Sequence, residues 1–230
     1  MKKILVVGGG AAGIAAALSA AEAGGRVTIL EGQSRPAKKL LVTGNGRCNL
    51  GNTRIAPEYY HTARPDRLEA LLEQMPATLT TDFFAHWGLM TMADEAGRLY
   101  PYCRQASMVV DVLLLALQRC GVVVETGCAV TEALWERGAF TVKSSQGGSW
   151  RGDALILTTG GKAAPKQSLS GAGYALAKGF GHSCTPLYPC LTALRCTHPA
   201  LRGLKGIRVL CTAALCSNGR EIAREAGELQ

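Results

Sequence analysis

The chain begins with a short apolar run, Lys3 to Val7, suited to a parallel strand buried on both faces. The alanine-rich stretch Ala11 to Ala23 predicts a helix, which Gly24-Gly25 stop. Val27 to Leu30 is a second apolar run, so strand, helix and strand follow one another as a βαβ unit. Gly32 to Asn52 is polar, glycine-rich and basic, and predicts a long loop of the kind that carries function. From Arg67 to Trp87 the spacing is helical, with Leu68, Leu71, Leu72, Phe83, Phe84 and Trp87 as candidate core positions. Ala106 to Cys120 predicts a second strong helix, followed by the β-branched run Val122-Val123-Val124. Strand-like segments come at Ala129 to Trp135, Ala139 to Val142 and Ala154 to Leu157. Arg137-Gly138 and Gln146-Gly147-Gly148 separate them, as turns of an antiparallel meander would. Tyr174 to Phe180 is a short helix ended by Gly181. After Pro186 the pattern changes to β-like runs at Leu191 to Cys196 and Ile207 to Cys216, with Asn218-Gly219 as a turn. The whole predicts an α/β fold with a parallel sheet and a β-meander, then the start of a β-rich region.

Composition supports a folded chain: 47% of the 230 residues are hydrophobic and 18% charged, enough for one substantial core, or one domain and part of another. The net charge of +8 suits a polyanionic ligand. The basic residues are scattered, with no run longer than Lys38-Lys39, so a nucleic-acid partner is not expected and a phosphate-bearing small molecule accounts for the charge. Nine cysteines show no C-x-x-C and no zinc-ligand spacing with the four histidines. That usage fits a reducing cytoplasm, without disulfides or metal. Met1-Lys2-Lys3 and the apolar residues after it look like a signal peptide, but Gly8-Gly9-Gly10 in their midst favours strand, turn and helix. Asp111 interrupts the apolar segment around Val109 to Leu117, and no membrane span is expected.

Gly8-x-Gly10-x-x-Gly13 lies between the first strand and the alanine helix. The first glycine permits a tight turn, the second lets backbone approach a pyrophosphate, and the third lets helix and strand touch. The helix N-terminus then offers free N–H groups and the positive end of its dipole. Glu31 ends the second strand, where a carboxylate accepts hydrogen bonds from a ribose and repels a 2′-phosphate, so NADP is disfavoured at this site. This fingerprint does not separate FAD from NAD. The loop from Lys38 to Asn49, KKLLVTGNGRCN, can wrap a pyrophosphate and reach along an extended cofactor. Thr158-Thr159-Gly160-Gly161 turns at the carboxyl end of an apolar strand, where ligands of open α/β sheets sit.

GGGAAGIAAA, VTILEGQSRPAKKLLVTGNGRCNLGN, GRLYP, LTTGGKAAPK and GAGYALAKGFGH together resemble the YhiN/BaiN-like bacterial flavoproteins. These are NAD(P)/FAD-dependent oxidoreductases that include aminoacetone oxidase-type enzymes. The resemblance extends from residue 1 to about 215 and implies a Rossmann-like fold of the glutathione-reductase type with FAD as cofactor. It implies that Gly8, Gly10, Ala12, Gly13, Glu31, Lys39, Leu40, Thr43, Asn45, Gly46, Arg47, Cys48 and Asn49 line the cofactor. Val130 matches the position that touches adenine through its backbone, and Thr159, Gly160 and Gly161 match the turn that passes close by. Residues 1–190 are then an FAD-binding domain with a helical excursion at about 60–105, and 191–230 the beginning of a β-rich inserted domain. Relatives are longer and return to the FAD domain after that insertion, so the chain reads as an N-terminal portion with unpaired strand edges from about residue 191.

The expected activity is FAD-dependent transfer of hydride or electrons between a reduced nicotinamide, or oxygen, and a small organic substrate. Catalytic residues are not identified. Cys48 is readable as a redox thiol beside Arg47 or as a packed or cofactor-contacting one. Arg98, Tyr100 and Tyr102 are readable as binders of an acidic or carbonyl substrate or as an ordinary surface hairpin. The alternatives from other classes are a non-catalytic ADP- or FAD-binding fragment or interaction module, and an FAD-dependent protein that modifies RNA.

Overall fold

The computed structural model describes residues 1–163, 171–188, 197–199, 203 and 207–229. They fall into two units, Met1–Pro186 and Leu187–Gln230.

In the first unit, strand β1 (Lys3–Val7) leads through the glycine turn into helix α1 (Ala11–Glu22) and back along β2 (Arg26–Leu30). Ile4 and Val6 of β1 join the apolar cluster on the α1 side of the sheet, and Leu5 and Val7 the cluster on the other side. This is the period-two alternation of a strand covered on both faces, which leaves no position for a polar side chain from Ile4 to Val7. A 3-10 turn (Leu40–Gly46) and the short strand β3 (Gly51–Asn52) follow. Helices α2 (Pro65–Gln74) and α3 (Ala77–His86) precede an antiparallel pair, β4 (Thr91–Ala93) and β5 (Arg98–Pro101), with β3 on the far side of β5. The helical spacing from Arg67 to Trp87 is therefore two helices. Pro76 separates them, because proline has no N–H to donate and excludes Met75 from helical backbone, at φ −124° and ψ 67°. The excursion is helical only as far as His86.

Helix α4 (Ala106–Arg119) returns the chain to the sheet as β6 (Val123–Glu125). The meander β7 (Val130–Glu136), β8 (Ala139–Ser144) and β9 (Ser149–Gly152) leads into β10 (Ala154–Leu157), and helix α5 (Ala172–Gly179) follows. The main sheet runs β10-β1-β2-β6, all parallel. Sequence spacing makes Ala154–Leu157 the third meander strand, but the structure gives that position to Ser149–Gly152, paired with β8, and sets β10 parallel beside β1, as a strand with a ligand-facing carboxyl end requires. Ser149-Trp150-Arg151-Gly152 has one large apolar residue and so no apolar run to mark it. Helices α1 and α4 bury Ile14, Leu18, Val109, Leu113 and Leu117 on one face of the sheet. Val130, Ala133 and Val142 of the meander and Leu176 of α5 cover the other. No helix among the described residues is long and apolar enough to cross a membrane.

The second unit contains the hairpin β11 (Val209–Ser217) and β12 (Arg220–Leu229), closed by Asn218-Gly219 with φ 51° and 74°. Two successive left-handed residues are what a type I′ two-residue hairpin loop requires. The expected run at Leu191 to Cys196 lies outside the described residues.

Candidate functional site

The carboxyl ends of β1, β2 and β10 meet at one pocket, built around the turn from Gly8 to Gly10. Gly8 has φ +106°, and a Cβ there would come 2.5 Å from the Thr158 carbonyl oxygen. A Cβ on Gly13 would fall on the carbonyl oxygen of Gly8. That contact lets α1 approach the end of β1. Gly10 differs: a Cβ there would meet nothing within 4 Å, so bare backbone faces open space. No side chain caps α1 at Gly10, and the first intrahelical acceptor bond runs from the Ile14 N–H to the Gly10 oxygen, at 2.9 Å. The amides of the first turn and the positive end of the helix dipole are therefore available to an anion. This open cradle fits the pyrophosphate of a dinucleotide.

The Glu31 carboxylate lines the same pocket. Its Oε2 accepts the Gly9 N–H at 2.6 Å and its Oε1 accepts the Gln33 N–H at 2.7 Å. A carboxylate offers about four acceptor positions, so both oxygens retain capacity for the hydroxyls of a sugar. Backbone bonds fix this corner from two further sides. Cys128 N–H donates to the Glu31 oxygen at 2.8 Å and Gly127 N–H to the Gln33 oxygen at 2.9 Å, and Val130 is buried at the pocket wall. Ala37 N–H donates to the Gly9 oxygen at 2.7 Å, folding the basic loop back on the glycine turn. Arg35, Lys38 and Lys39 then stand at the pocket with Glu31 as its carboxylate, a balance that favours an anionic ligand.

Of the residues singled out in the sequence, the structure brings Gly8, Gly10, Glu31, Lys39, Val130, Thr159 and Gly160 together around this pocket. Gly13 is buried beneath it, Ala12 is exposed on the first turn of α1, and Gly161 lies near the Tyr174 hydroxyl. Leu40, Thr43, Asn45, Gly46, Arg47, Cys48 and Asn49 do not line it. They form a separate tight loop with left-handed backbone at Gly44, Asn45, Gly46 and Cys48. Internal bonds hold that loop: Thr43 Oγ1 donates to the Leu40 oxygen at 2.8 Å, Cys48 N–H to the Thr43 oxygen at 3.0 Å, and Gly51 N–H to Asn49 Oδ1 at 3.1 Å. Cys48 is fully buried in the core. Burial pushes its thiol up, against a smaller downward pull from its hydrogen bond with Thr43. That is the opposite of what a redox thiol needs, and the packed reading of Cys48 is the one the geometry favours. Arg98, Tyr100 and Tyr102 do not converge: Arg98 pairs with Asp94 at 2.8 Å, Tyr100 is buried, and Tyr102 is exposed.

Sequence reasoning did not single out Gln33, Arg35 or Cys128 as pocket residues, and it gave Thr158 only as part of the turn after an apolar strand. The Thr158 hydroxyl is shared between the Val7 and Gly8 oxygens at 3.0 and 2.9 Å, clamping the glycine turn to β10. Only the adjacency of β10 and β1, remote in sequence, reveals that role.

Among known proteins, the 3-dehydro-bile acid delta(4,6)-reductase of Clostridium scindens is 35% identical over 232 aligned positions, spanning all of this chain and 56% of that protein. The ribosomal RNA dihydrouridine synthase of Escherichia coli is 26% identical, over 87% of this chain and 50% of that one. The chain thus spans about half the length of the curated relatives it matches. A solved 3-ketosteroid-delta4-(5alpha)-dehydrogenase from Rhodococcus jostii, in complex with 4-androstene-3,17-dione, shares the fold, with a TM-score of 0.52 at 16% identity, over 70% of this chain and 47% of that one. A family model described as the HI0933-like protein Rossmann domain matches residues 2–219. With that match over nearly its whole length, on the glycine turn, the acidic strand end and the basic loop just described, the chain belongs to the HI0933-like Rossmann-domain family, the YhiN/BaiN-type flavoproteins.

Proposed function

We propose that this chain holds FAD by its ADP half and is the nucleotide-binding part of an FAD-dependent oxidoreductase. The observation that carries the proposal is the pocket where the uncapped start of α1, the bare backbone of Gly10 and the Glu31 carboxylate converge. In this reading the first-turn amides of α1 hold the pyrophosphate and Glu31 takes the ribose hydroxyls. Val130 offers backbone to the adenine, and Lys39 adds positive charge. Gly13 keeps the turn in shape from beneath, and Thr158 clamps it from the pocket wall. FAD, when bound, supplies two-electron chemistry between a reduced nicotinamide, or oxygen, and an organic substrate. The Clostridium relative and family membership support a reductase, with a conjugated ketone of steroid-like size as the substrate class. A second reading, action on RNA, is favoured by the dihydrouridine synthase relatives. Filter binding of RNA with steep salt dependence supports it, and no retention at low salt removes it.

Purified chain titrated with FAD should quench flavin fluorescence and acquire yellow colour, and ADP should compete. Glu31→Ala should weaken both ligands by about tenfold, the loss of one or two hydrogen bonds to a charged group. Absence of uptake of FAD and of ADP by the folded chain would remove the proposal.

A further inference from the structure

Tyr100 lies on β5, outside the nucleotide pocket, and only 4% of its surface is exposed. Its ring nevertheless meets the tight loop of residues 43–49 at two points. The Arg47 guanidinium stands over the ring, with its central carbon 4.9 Å from the centroid. At Gly44, an added Cβ would come 3.3 Å from the edge of the same ring. Arg47 Nε donates to the Gly44 oxygen at 3.2 Å, so ring and carbonyl fix the guanidinium from two directions. The platform is itself well anchored. β5 pairs with β4 and β3, and Leu50 N–H, just after the loop, donates to the Leu99 oxygen at 2.8 Å.

Arg47 is half-buried, and no carboxylate pairs with it among the described residues. The guanidinium is thus held by the Tyr100 ring and the Gly44 oxygen with no carboxylate of the described residues against it, on a loop where the non-glycine residues Asn45 and Cys48 are also left-handed. Its terminal N–H donors suit phosphate or carbonyl oxygens. Residues of this loop do not line the pocket that fits the ADP half. We infer that Tyr100 is a positioning residue: its ring holds Arg47 ready for the part of the dinucleotide beyond ADP. Tyr100 is thereby moved from a candidate substrate binder to a support for cofactor selectivity. The inference rests on the proposal that the pocket takes the ADP half of FAD.

The test is the ratio of FAD to ADP affinity in the 230-residue chain, measured by fluorescence titration and ADP competition, with unfolding midpoints recorded for each variant. Tyr100→Leu keeps apolar bulk and removes the π face, and should weaken FAD by about fivefold or more while leaving ADP unchanged, in line with a partly desolvated cation–π contact. Tyr100→Phe keeps the face and should restore the ratio. In an Arg47→Met background, Tyr100→Leu should add nothing further, because the two residues act as a unit. An unchanged ratio in Tyr100→Leu overturns the inference, as does a Tyr100→Phe variant as impaired as Tyr100→Leu. Wild-type chain that binds neither ligand overturns the pocket assignment itself, a result distinct from both.

Discussion

The corner where β1, α1 and β2 meet and the excursion formed by α2 and α3 are both legible from periodicity, yet they are built differently. In the corner, Val6, Ile14, Ala17, Leu18 and Ile29 are wholly buried. Neither α2 nor α3 contains a buried residue, and Leu71, Met75 and Leu79 stand about half exposed. α3 still leans Phe83, Phe84 and Trp87 on the core, whereas α2 turns an amphipathic face to little cover. Each helix of an amphipathic pair has a stripe to bury, but the depth of burial depends on what lies opposite. The anion cradle rests on the corner, where opening locally means opening the core. Opening α2 exposes little new apolar surface.

The largest expected effect tests the corner. Gly13→Ala places a methyl on the Gly8 carbonyl oxygen, a clash with backbone rather than with a movable side chain. It should cost about 3 kcal/mol in chemical denaturation, despite the gain in helix propensity. Full stability in that variant would show that the turn is looser than this contact implies. Gly10→Ala is the counterpart. Open space around its added methyl predicts an unfolding midpoint close to wild type, with ADP affinity reduced by about tenfold because the methyl enters the cradle. Equal instability in the two variants would erase the distinction between a packing glycine and a binding one.

Cys48 gives a pH-dependent test of the same core. Its thiol is raised in the folded chain, by burial against the smaller effect of Thr43, above an ordinary value of 9.0. The neutral thiol is thus favoured by folding. That stability is fully present below pH 9.0 and is lost as pH rises through the folded-state value. Wild type should therefore lose more stability than Cys48→Ala above pH 9.0 in paired alkaline melts. Parallel curves for the two would contradict the burial of this thiol. The smallest effect belongs to the excursion: Leu71→Gln on α2 should change stability by no more than about 0.5 kcal/mol, as for an exposed site. A loss of core size would mean that this face is covered in solution.

The local elements were fixed by the chain's own pattern. A five-residue apolar strand, an alanine helix, glycines at the turn and an acidic residue at the next strand end can be arranged in few ways other than β1-α1-β2 with a phosphate cradle at its tip. Asn218-Gly219 fixes its hairpin in the same manner, through backbone angles that few other residue pairs adopt. What only the tertiary structure decided concerns partners distant in sequence. Ser149–Gly152 became the meander's third strand and Ala154–Leu157 a neighbour of β1, since apolar content identifies a strand but not its partner. Thr158 clamps Gly8 from 150 positions away. The loop of residues 40–49 reads in the sequence as wrapping a pyrophosphate and reaching along an extended cofactor; folding sets it against Tyr100, outside the lining of the nucleotide pocket. Pairing and proximity of that kind follow from how surfaces fit once the sheet has closed, and no local pattern of side chains encodes them.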